Sequence, residues 1–295
     1  MKKRKHRAKK LSLTNGGNLF LFFLGTGSAF TKVLNQNNVL IIKGRDHILI
    51  DCGNKCSQAL HELGIGVPNI TNYLITHSHA DHVGGLEEVM MQARYIARKK
   101  PNIVITQEYE KVLWEQSLMG GAAHSETGGK LKFRDFWHII RPSKRRNYPR
   151  ETWEANVGSI NLKLPRTMHI PDRATSWENS FWSCGVIVDD RILYTSDTRF
   201  DPDLLVAFDD RFDFDVIFHD CQFFNGGVHA SLEELTTLPE AIKRKIVLMH
   251  YGDEWQRYRQ QAKEAGFHSF AEQTTSYNFT PVSKPAITRI GLAAH

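Results

Sequence analysis

The sequence has few cysteines, no long apolar run and no internal repeat. Its four cysteines form no Cys-x-x-Cys pair, which argues against a disulfide framework and against a zinc site built on thiolates. No stretch of about 18 apolar residues is present to cross a membrane. No similarity recurs at a period of about 20–50 residues, so a solenoid or propeller is not indicated. We therefore expect a cytoplasmic protein without membrane contact.

Acidic residues are missing from the first ten positions, so the net charge of the whole chain does not represent the charge of the rest of it. The net charge is +6, but seven of the 38 Lys and Arg residues lie within residues 2–10. The other 31 face 32 Asp and Glu residues, so the rest of the chain is close to neutral. A surface for duplex nucleic acid usually needs basic residues spread over one face. We predict a basic disordered tail at 1–17 rather than a nucleic-acid arm.

Apolar runs of strand length recur along the remaining chain and alternate in places with helical patterns. The runs lie at 19–24, 39–42, 47–50, 72–75, 103–105, 185–188, 192–194, 216–218 and 246–249, and the helical patterns at 85–99 and 232–245. This mixture predicts one domain over 18–295 with sheet inside and helices outside. The glycine-rich, then charged and aromatic segment 120–155 is interpreted as an insertion or lid.

Ligand-type side chains follow strand after strand. Asp51, His77, Asp197, Asp220 and His250 each come directly or within a few residues after an apolar run. In open sheets with helices packed on them, strand ends at one edge are where sites assemble. The sequence therefore predicts one polar site at a common edge.

A dense metal motif follows the strand at 73–75. His77, His79, Asp81 and His82 place three imidazoles and one carboxylate within six positions. These donors suit zinc, manganese or iron, and burying them without a cation would be costly. In extended backbone His77 and His79 point to the same side, so one short loop can address two metals. A histidine-rich surface turn is the alternative, which the preceding buried-type strand disfavours.

The pattern His-x-His-x-Asp-His after a strand resembles the signature of the metallo-β-lactamase superfamily. Leu-Gly-Thr-Gly-Ser-Ala at 24–29 is similar to the first turn of the branch that contains tRNase Z and small cyclic-phosphate phosphodiesterases. Ile-Leu-Ile-Asp-Cys-Gly at 48–53 is similar to the second strand of that branch. The resemblance runs in order along nearly the whole chain. It implies an α/β fold, an αββα sandwich of two mixed sheets flanked by helices.

The same resemblance implies a role for each metal-site residue. One metal would be held by His77, His79 and His169, the other by Asp81, His82 and His250, with Asp197 bridging both. We expect two divalent cations, zinc first and manganese as the alternative, and no organic cofactor. Such a pair polarises a phosphoryl group and supplies hydroxide near neutral pH. Asp51 is interpreted as a partner that orients a ligand imidazole, or else as a strand-end turn residue.

The segments 218–222 and 228–231 resemble two short motifs that lie beside the metals in tRNase Z and its phosphodiesterase relatives. By that resemblance His229 contacts the scissile phosphate and protonates the leaving oxygen, while Asp220 holds its imidazole. We therefore predict Asp81, Asp220 and His229 as catalytic residues. The alternative for His229 is a cap of the helix that begins near Ser231. Asp-Cys-Gln at 220–222 departs from the RNA-processing motif, which weakens a tRNase Z assignment.

Two functions follow from these observations. The first is a metal-dependent phosphodiesterase that opens 3′,5′-cyclic nucleotides, because the chain resembles compact cyclic-nucleotide phosphodiesterases, including anti-Pycsar enzymes of phages and bacteria that act as homodimers. The second is a tRNase Z-like endonuclease that processes RNA 3′ ends. One feature relevant to whether the substrate is a small nucleotide or RNA is a basic cluster. Its members, which lie close together in sequence, are Arg141, Lys144, Arg145, Arg146 and Arg150. It would either contact a base and phosphate or form a solvated loop.

Overall fold

Two eight-stranded sheets pack against each other between layers of helices in the computed structural model, which describes residues 1–6 and 10–280. The strands are β1 (Lys2–Lys5), β2 (Leu19–Phe23), β3 (Val39–Lys43), β4 (Asp46–Ile50), β5 (Asn72–Leu74), β6 (Asn102–Val104), β7 (His138–Ile140), β8 (Ser143–Arg145), β9 (Thr152–Val157), β10 (Ile160–Pro165), β11 (Val186–Val188), β12 (Ile192–Tyr194), β13 (Val216–Asp220), β14 (Ile246–Met249), β15 (Ser269–Phe270) and β16 (Thr275–Phe279). The first sheet has the order β1-β16-β2-β3-β4-β5-β6-β7, and the second β15-β14-β13-β12-β11-β10-β9-β8.

Both sheets are mixed. In the first, β2 and β3 pair antiparallel whereas β4 and β5 pair parallel. In the second, β11 and β12 pair antiparallel whereas β12 and β13 pair parallel. The expected arrangement of two mixed sheets is confirmed, as are the nine predicted strands, each to within about two residues.

Short helices cover the outer faces of the two sheets. They are α1 (Cys56–Glu62), α2 (Ala80–Val83), α3 (Leu86–Met91), α4 (Gln107–Val112), α5 (Met119–Ala122), α6 (Phe133–Phe136), α7 (Pro202–Phe212), α8 (Leu232–Thr236), α9 (Glu240–Lys243) and α10 (Arg259–Glu264). Wider π-helical turns, Gln92–Ala97 and Leu113–Leu118, continue α3 and α4. Among the described residues, no helix has the length and apolar character needed to cross a membrane.

The helix predictions were partly correct. The pattern at 85–99 corresponds to α3 and its π-helical continuation, whereas the pattern at 232–245 is split into α8 and α9. Pro239 lies at the break, because proline has no N–H to donate within a helix. The longest α-helix, α7, was not predicted, although Asp201 followed by Pro202 is a helix-start signal: the Asp201 side chain accepts from the Leu204 N–H.

Three apolar cores separate the four layers. Strand β2 shows the division, since Phe22 packs in the core under the helices of the first sheet while Leu21 and Phe23 pack in the core between the sheets. Alternate side chains of a strand point to opposite faces, so a strand covered on both faces is apolar throughout. Leu193 and Ile217 belong to the third core, between the second sheet and its helices.

A glycine allows the metal motif to pack against the end of β4. A Cβ atom at Gly53 would lie 2.0 Å from the Asp81 carbonyl oxygen, which no side chain permits. The Cys52 N–H donates to the His82 carbonyl at 2.8 Å across the same contact. The two segments that follow β4 and β5 are thereby held against each other.

Two boundaries predicted from the sequence need correction. Within the tail at 1–17, Lys2–Lys5 forms β1, an edge strand paired antiparallel with β16, because the ladder satisfies its backbone groups; residues 7–9 lie outside the described residues. Charged side chains are typical of an edge strand exposed to solvent. The segment 120–155 is not a simple insertion or lid, since β7 closes the first sheet and β8 and β9 begin the second. Of the domain at 18–295, residues 281–295 lie outside the described part.

Candidate functional site

The ends of strands from both sheets meet at one edge of the sandwich. His77 follows β5 in the first sheet, while His169, Asp197 and His250 follow β10, β12 and β14 in the second. His250 has a φ of 57°, a left-handed conformation that a non-glycine residue adopts only when its surroundings hold it. Asp51 at the end of β4 has a φ of 62°. The convergence predicted from the sequence is therefore present in the fold.

The first cluster combines three imidazoles with one carboxylate oxygen. His79 Nδ1 lies 3.0 Å from His77 Nε2 and 3.2 Å from His169 Nε2. Asp197 Oδ2 lies 3.6 Å from His77 Nε2 and 3.9 Å from His169 Nε2. All four ligand atoms lie within 4.8 Å of one another, the spacing of donors around a single cation.

The second cluster shares Asp197 with the first. Asp81 Oδ2 lies 3.3 Å from His82 Nε2 and 3.2 Å from His250 Nε2. Asp197 Oδ2 lies 3.3 Å from His82 Nε2 and 3.4 Å from His250 Nε2. The structure thus brings together all seven predicted metal residues, in the two groups that the resemblance implied.

The surroundings of Asp197 indicate whether these residues fit metal ions. Both of its oxygens are buried, and among the described residues neither has a hydrogen-bond partner; the same holds for His82 Nε2. A buried carboxylate without hydrogen bonds is costly, and two cations on either side would satisfy it. Nitrogen and carboxylate oxygen donors suit zinc and manganese. The residues present therefore fit a pair of divalent cations.

The pKa values of the imidazoles divide into two groups. Burial lowers the pKa of His77 well below its ordinary value and that of His169 to about 4. These rings are neutral at pH 7, the form in which histidine binds a metal. Burial also acts to lower the pKa of His82 and His250, but neighbouring carboxylates, Asp197 first, outweigh it and raise both pKa values well above the ordinary range. A cation would compete with those protons.

Hydrogen bonds on the far side of the rings fix the tautomers of two histidines. His82 Nδ1 lies 2.7 Å from Asp51 Oδ2, and His169 Nδ1 lies 2.8 Å from the Val228 carbonyl oxygen. A carboxylate and a carbonyl can only accept, so in each histidine the Nδ1–H donates and Nε2 is free to face a cation. The Thr76 N–H in turn donates to Asp51 at 2.8 Å. The contact predicted for Asp51 is present.

Asp220 is shared between two histidines. His229 Nδ1 lies 2.7 Å from its Oδ2, and His250 Nδ1 lies 3.2 Å from its Oδ1. The Thr198 N–H also donates to Oδ2 at 3.0 Å. Burial acts to lower the pKa of His229, but Asp220 outweighs it and raises the pKa above the ordinary value. The second contact of Asp220, with His250, was missed from the sequence.

Other participants left little or no signal in the sequence. The Val228 carbonyl is a backbone group, so the residue type at this position could not predict its contact with His169. Thr76 directly precedes the metal motif, so the sequence shows that it lies near the site. The sequence does not show that its hydroxyl contacts Asp51. His219 lies outside the clusters; its Nδ1 donates to the Asp220 carbonyl at 2.6 Å.

A cavity of about 580 Å³ opens beside the first cluster. His77, His79 and His169 line it, together with Phe181 and Gln116. Cavities of about 300–1,000 Å³ are typical of small-molecule sites. The space beside the clusters is therefore large enough for a nucleotide-sized ligand.

Four of the five basic residues of the cluster at 141–150 pair with acids, whereas Arg146 is exposed and forms no ion pair with a described residue. The pairs are Arg141–Glu110, Lys144–Glu151, Arg145–Glu154 at 2.6 Å and Arg150–Asp201 at 2.6 Å. Arg150 is buried and cannot reach a nucleic acid. This pairing favours a structural role over the contact with base and phosphate.

A family model and individual relatives identify the same protein family. Residues 19–277 match the family model described as anti-Pycsar protein Apyc1. A protein of that name from Paenibacillus harenae is 38% identical over 237 residues, which cover 80% of this chain and 91% of the relative. Another from Bacillus phage BSP38 is 36% identical over 259 residues, covering 86% and 96%.

The fold agrees with solved structures at low sequence identity. The metallo-β-lactamase fold protein YhfI from Bacillus subtilis superposes with a TM-score of 0.64 at 13% identity, covering 89% of this chain and all of that one. At that identity the likeness concerns the fold alone. The expected metallo-β-lactamase fold is confirmed.

Proposed function

The chain belongs to the anti-Pycsar protein Apyc1 family, and on that premise we propose that it is a metal-dependent phosphodiesterase that opens 3′,5′-cyclic nucleotides to linear nucleotides. The observation that best supports this is the pair of His/Asp clusters that share Asp197, with the Asp220–His229 pair beside them. Two adjacent cation sites suit a phosphodiester, whose non-bridging oxygens carry charge.

We propose that two divalent cations occupy the clusters, zinc first and manganese as the alternative. His77, His79 and His169 would hold one, and Asp81, His82 and His250 the other, with Asp197 touching both. When bound, such a pair supplies Lewis-acid activation of a phosphoryl group and of water. The buried Asp197 oxygens, which have no hydrogen-bond partner among the described residues, support this assignment.

His229 is proposed as the proton donor. Its Nδ1–H donates to Asp220 Oδ2, so Nε2 faces away from that carboxylate and can carry the second proton. The raised pKa keeps this imidazole protonated over more of the neutral range than an ordinary histidine. Its side chain is 23% exposed, whereas that of Asp220 is fully buried. His229 can therefore reach a substrate and give a proton to the departing oxygen.

We also propose that the protein is a homodimer, as the family resemblance implies. Phe30 and Val33 are 88% and 81% exposed and offer apolar surface for such a contact. They lie on a loop that Asp253 holds by accepting the Lys32 N–H at 2.7 Å. Sedimentation velocity of the purified protein would give twice the chain mass; a single-chain mass at micromolar concentration would contradict the dimer.

Product analysis tests the proposed activity. The purified protein, with zinc or manganese, is offered four cyclic mononucleotides, cyclic dinucleotides and a 3′-extended precursor tRNA, and products are identified by mass spectrometry. We expect linear nucleotides from cyclic substrates. Asp81→Ala removes a carboxylate of the second cluster and should abolish turnover. Asp210→Ala is the matched control, because Asp210 is exposed on α7.

The outcomes separate the two functions. Linear nucleotides made by the wild type and by Asp210→Ala, but not by Asp81→Ala, would support the proposal. Trimmed tRNA with cyclic nucleotides untouched would replace it with the RNA 3′-processing endonuclease. Full activity in Asp81→Ala would overturn the site assignment itself.

A further inference from the structure

The cavity beside the first cluster is lined by residues of two chemical kinds. Three of them are His77, His79 and His169, beside which a cation and hence a phosphate would lie. The other walls come from the π-helical turn Leu113–Leu118 and from residues 181–183. Apart from the three histidines, none of the described residues that line it is ionisable. Uncharged lining residues beside a cluster of metal-ligand type suit a neutral flat group linked to a phosphate.

The geometry points to a nucleobase subsite in this cavity, in which Phe181 stacks on the base of the substrate and the Gln116 amide reads its edge. This inference rests on the proposed function and names the part of the substrate that each wall recognises. A nucleobase has a polarisable face and an edge of donors and acceptors, the two features that an aromatic ring and an amide recognise.

Phe181 is the ring available for stacking. The residue is 69% exposed, and no other aromatic ring of the described chain packs against it. The adjacent Trp182 is already engaged, since Tyr109 stacks on it at 5.6 Å and the Arg166 guanidinium lies 4.8 Å from its ring centre. Trp182 therefore forms a fixed wall, and Phe181 offers the free face.

Arg166 holds the segment that carries Phe181. Its Nε–H donates to the Ser183 carbonyl at 3.1 Å, and its Nη2 donates to the carbonyls of Ser180 at 3.2 Å and Phe181 at 3.1 Å. The Phe181 N–H donates to the Ile170 carbonyl at 2.7 Å. The backbone on both sides of the exposed ring is thus fixed, which lowers the entropy cost of stacking.

Gln116 is placed to read the edge of a base. It is exposed in the π-helical turn after α4, and no described residue takes up its amide in a hydrogen bond. π-helical turns of this kind occur often at functional sites. An amide both donates and accepts, so it can pair with either kind of group on a base edge. Ser117 beside it adds a hydroxyl to the same wall.

The stacking contact is tested with Phe181→Ala, assayed with manganese on the 3′,5′-cyclic monophosphates of cytidine, uridine, adenosine and guanosine. We expect KM to rise roughly tenfold or more for every base, the range of a lost base–aromatic stack. Phe181→Trp should restore it. Phe224→Ala is the matched control, because Phe224 is 67% exposed but does not line the cavity. Inorganic phosphate should bind beside the three histidines and not at Phe181. Its inhibition constant should therefore be unchanged in Phe181→Ala.

The edge contact is tested with Gln116→Ala and Gln116→Glu. We expect Gln116→Ala to compress the ratio of kcat/KM between the best and worst base by roughly fivefold, the worth of one hydrogen bond. Gln116→Glu should change the order of the bases, because a carboxylate accepts but does not donate. Gln260→Ala, on α10 away from the cavity, is the control.

The results separate this inference from the proposed function. Hydrolysis of cyclic nucleotides with the same KM and base order in Phe181→Ala and Gln116→Ala would overturn the base subsite and leave the phosphodiesterase standing. A wild type that hydrolyses none of the four nucleotides would overturn both. A raised KM in Phe181→Ala, rescued by Phe181→Trp and with phosphate inhibition unchanged, would support the subsite.

Discussion

At the scale of single residues, Asp220 connects the acid and the metal site. It accepts from His229 and from His250, one proposed as proton donor and the other as ligand. Burial acts to raise its pKa, but the two imidazoles outweigh this and hold the pKa below its ordinary value. Asp220 is therefore an anion at neutral pH. It can fix both rings only while it remains charged.

Replacing His229 separates catalysis from metal binding. We expect His229→Ala to retain both metals and to slow hydrolysis by roughly 10²–10⁴, the usual effect of losing a general acid. Asp220→Asn should also weaken metal binding, because it disturbs the orientation of His250. Metal content by mass spectrometry and kcat on a cyclic nucleotide measure the two effects. An unchanged rate in His229→Ala would leave that residue with a structural role.

A buried histidine far from the clusters should make stability depend on pH. Burial lowers the pKa of His47 below its ordinary 6.5, and its Nε2 accepts the Thr71 N–H at 3.1 Å. Below pH 6.5 the unfolded chain takes up a proton that the folded state resists, so this contribution to stability is present above 6.5 and is lost on acidification.

We expect the wild type to lose stability relative to His47→Gln between pH 7.5 and 5.5. Glutamine can accept the same N–H without titrating. Urea denaturation at both pH values, in one metal state, measures the difference. His138→Gln is the control, because His138 is exposed. If the stability of His47→Gln falls as steeply as that of the wild type, His47 does not carry the effect.

At the scale of elements, a buried ion pair joins β9 to α7. Arg150 lies two residues before the start of β9, and Asp201 is the N-cap of α7. Arg150 Nη1 and Nη2 donate to the two Asp201 oxygens at 2.6 and 3.1 Å, and Asp201 also accepts the Leu204 N–H at 3.2 Å. One carboxylate thus begins a helix and fastens it to the second sheet.

Breaking this pair should be costly, because it leaves a buried charge alone. We expect Arg150→Met to lower the free energy of unfolding by about 3–5 kcal/mol. Arg244→Ala, which removes an ion pair whose side chains are 72% and 52% exposed, should cost at most about 1 kcal/mol. Urea denaturation compares the two. Equal losses would mean that burial does not set the strength of the Arg150–Asp201 pair.

At the scale of the whole molecule, the metal site joins the two halves of the sandwich. Asp51 and Asp81 belong to the first sheet's side, and Asp197 and Asp220 to the second. All four carboxylates are buried, and none of the described lysines or arginines pairs with them. Like charges from the two sheets therefore lie close together across the site, and among the described residues only histidines lie between them.

Removing metal should loosen the whole fold for this reason. We expect a chelator to lower Tm by roughly 10–20 °C, the effect of removing two cations that were each present at about 100 times their dissociation constant. Adding zinc should restore Tm. Asp81→Ala, with one cluster incomplete, should respond less. Differential scanning calorimetry measures both proteins, and an unchanged wild-type Tm would show that the clusters hold no stabilising cation.

The sequence by itself determined the ligand types, nine of the sixteen described strands and the order of the motifs. Three imidazoles and a carboxylate within six positions specify a cation site, because few other arrangements tolerate their burial. Strand ends followed by Asp or His, as at Asp197 and His250, predicted a common edge because strand direction fixes where side chains point. These signals are local, so no folded structure was needed to find them.

Only the tertiary structure decided which of these groups touch. Asp220 contacts both His229 and His250, which are 9 and 30 positions away, and the Val228 carbonyl orients His169. The edge strand at Lys2–Lys5 exists because β16, more than 260 residues later, supplies its partner. Such contacts depend on how two sheets pack, and packing is a property of distant residues acting together, which no local pattern encodes.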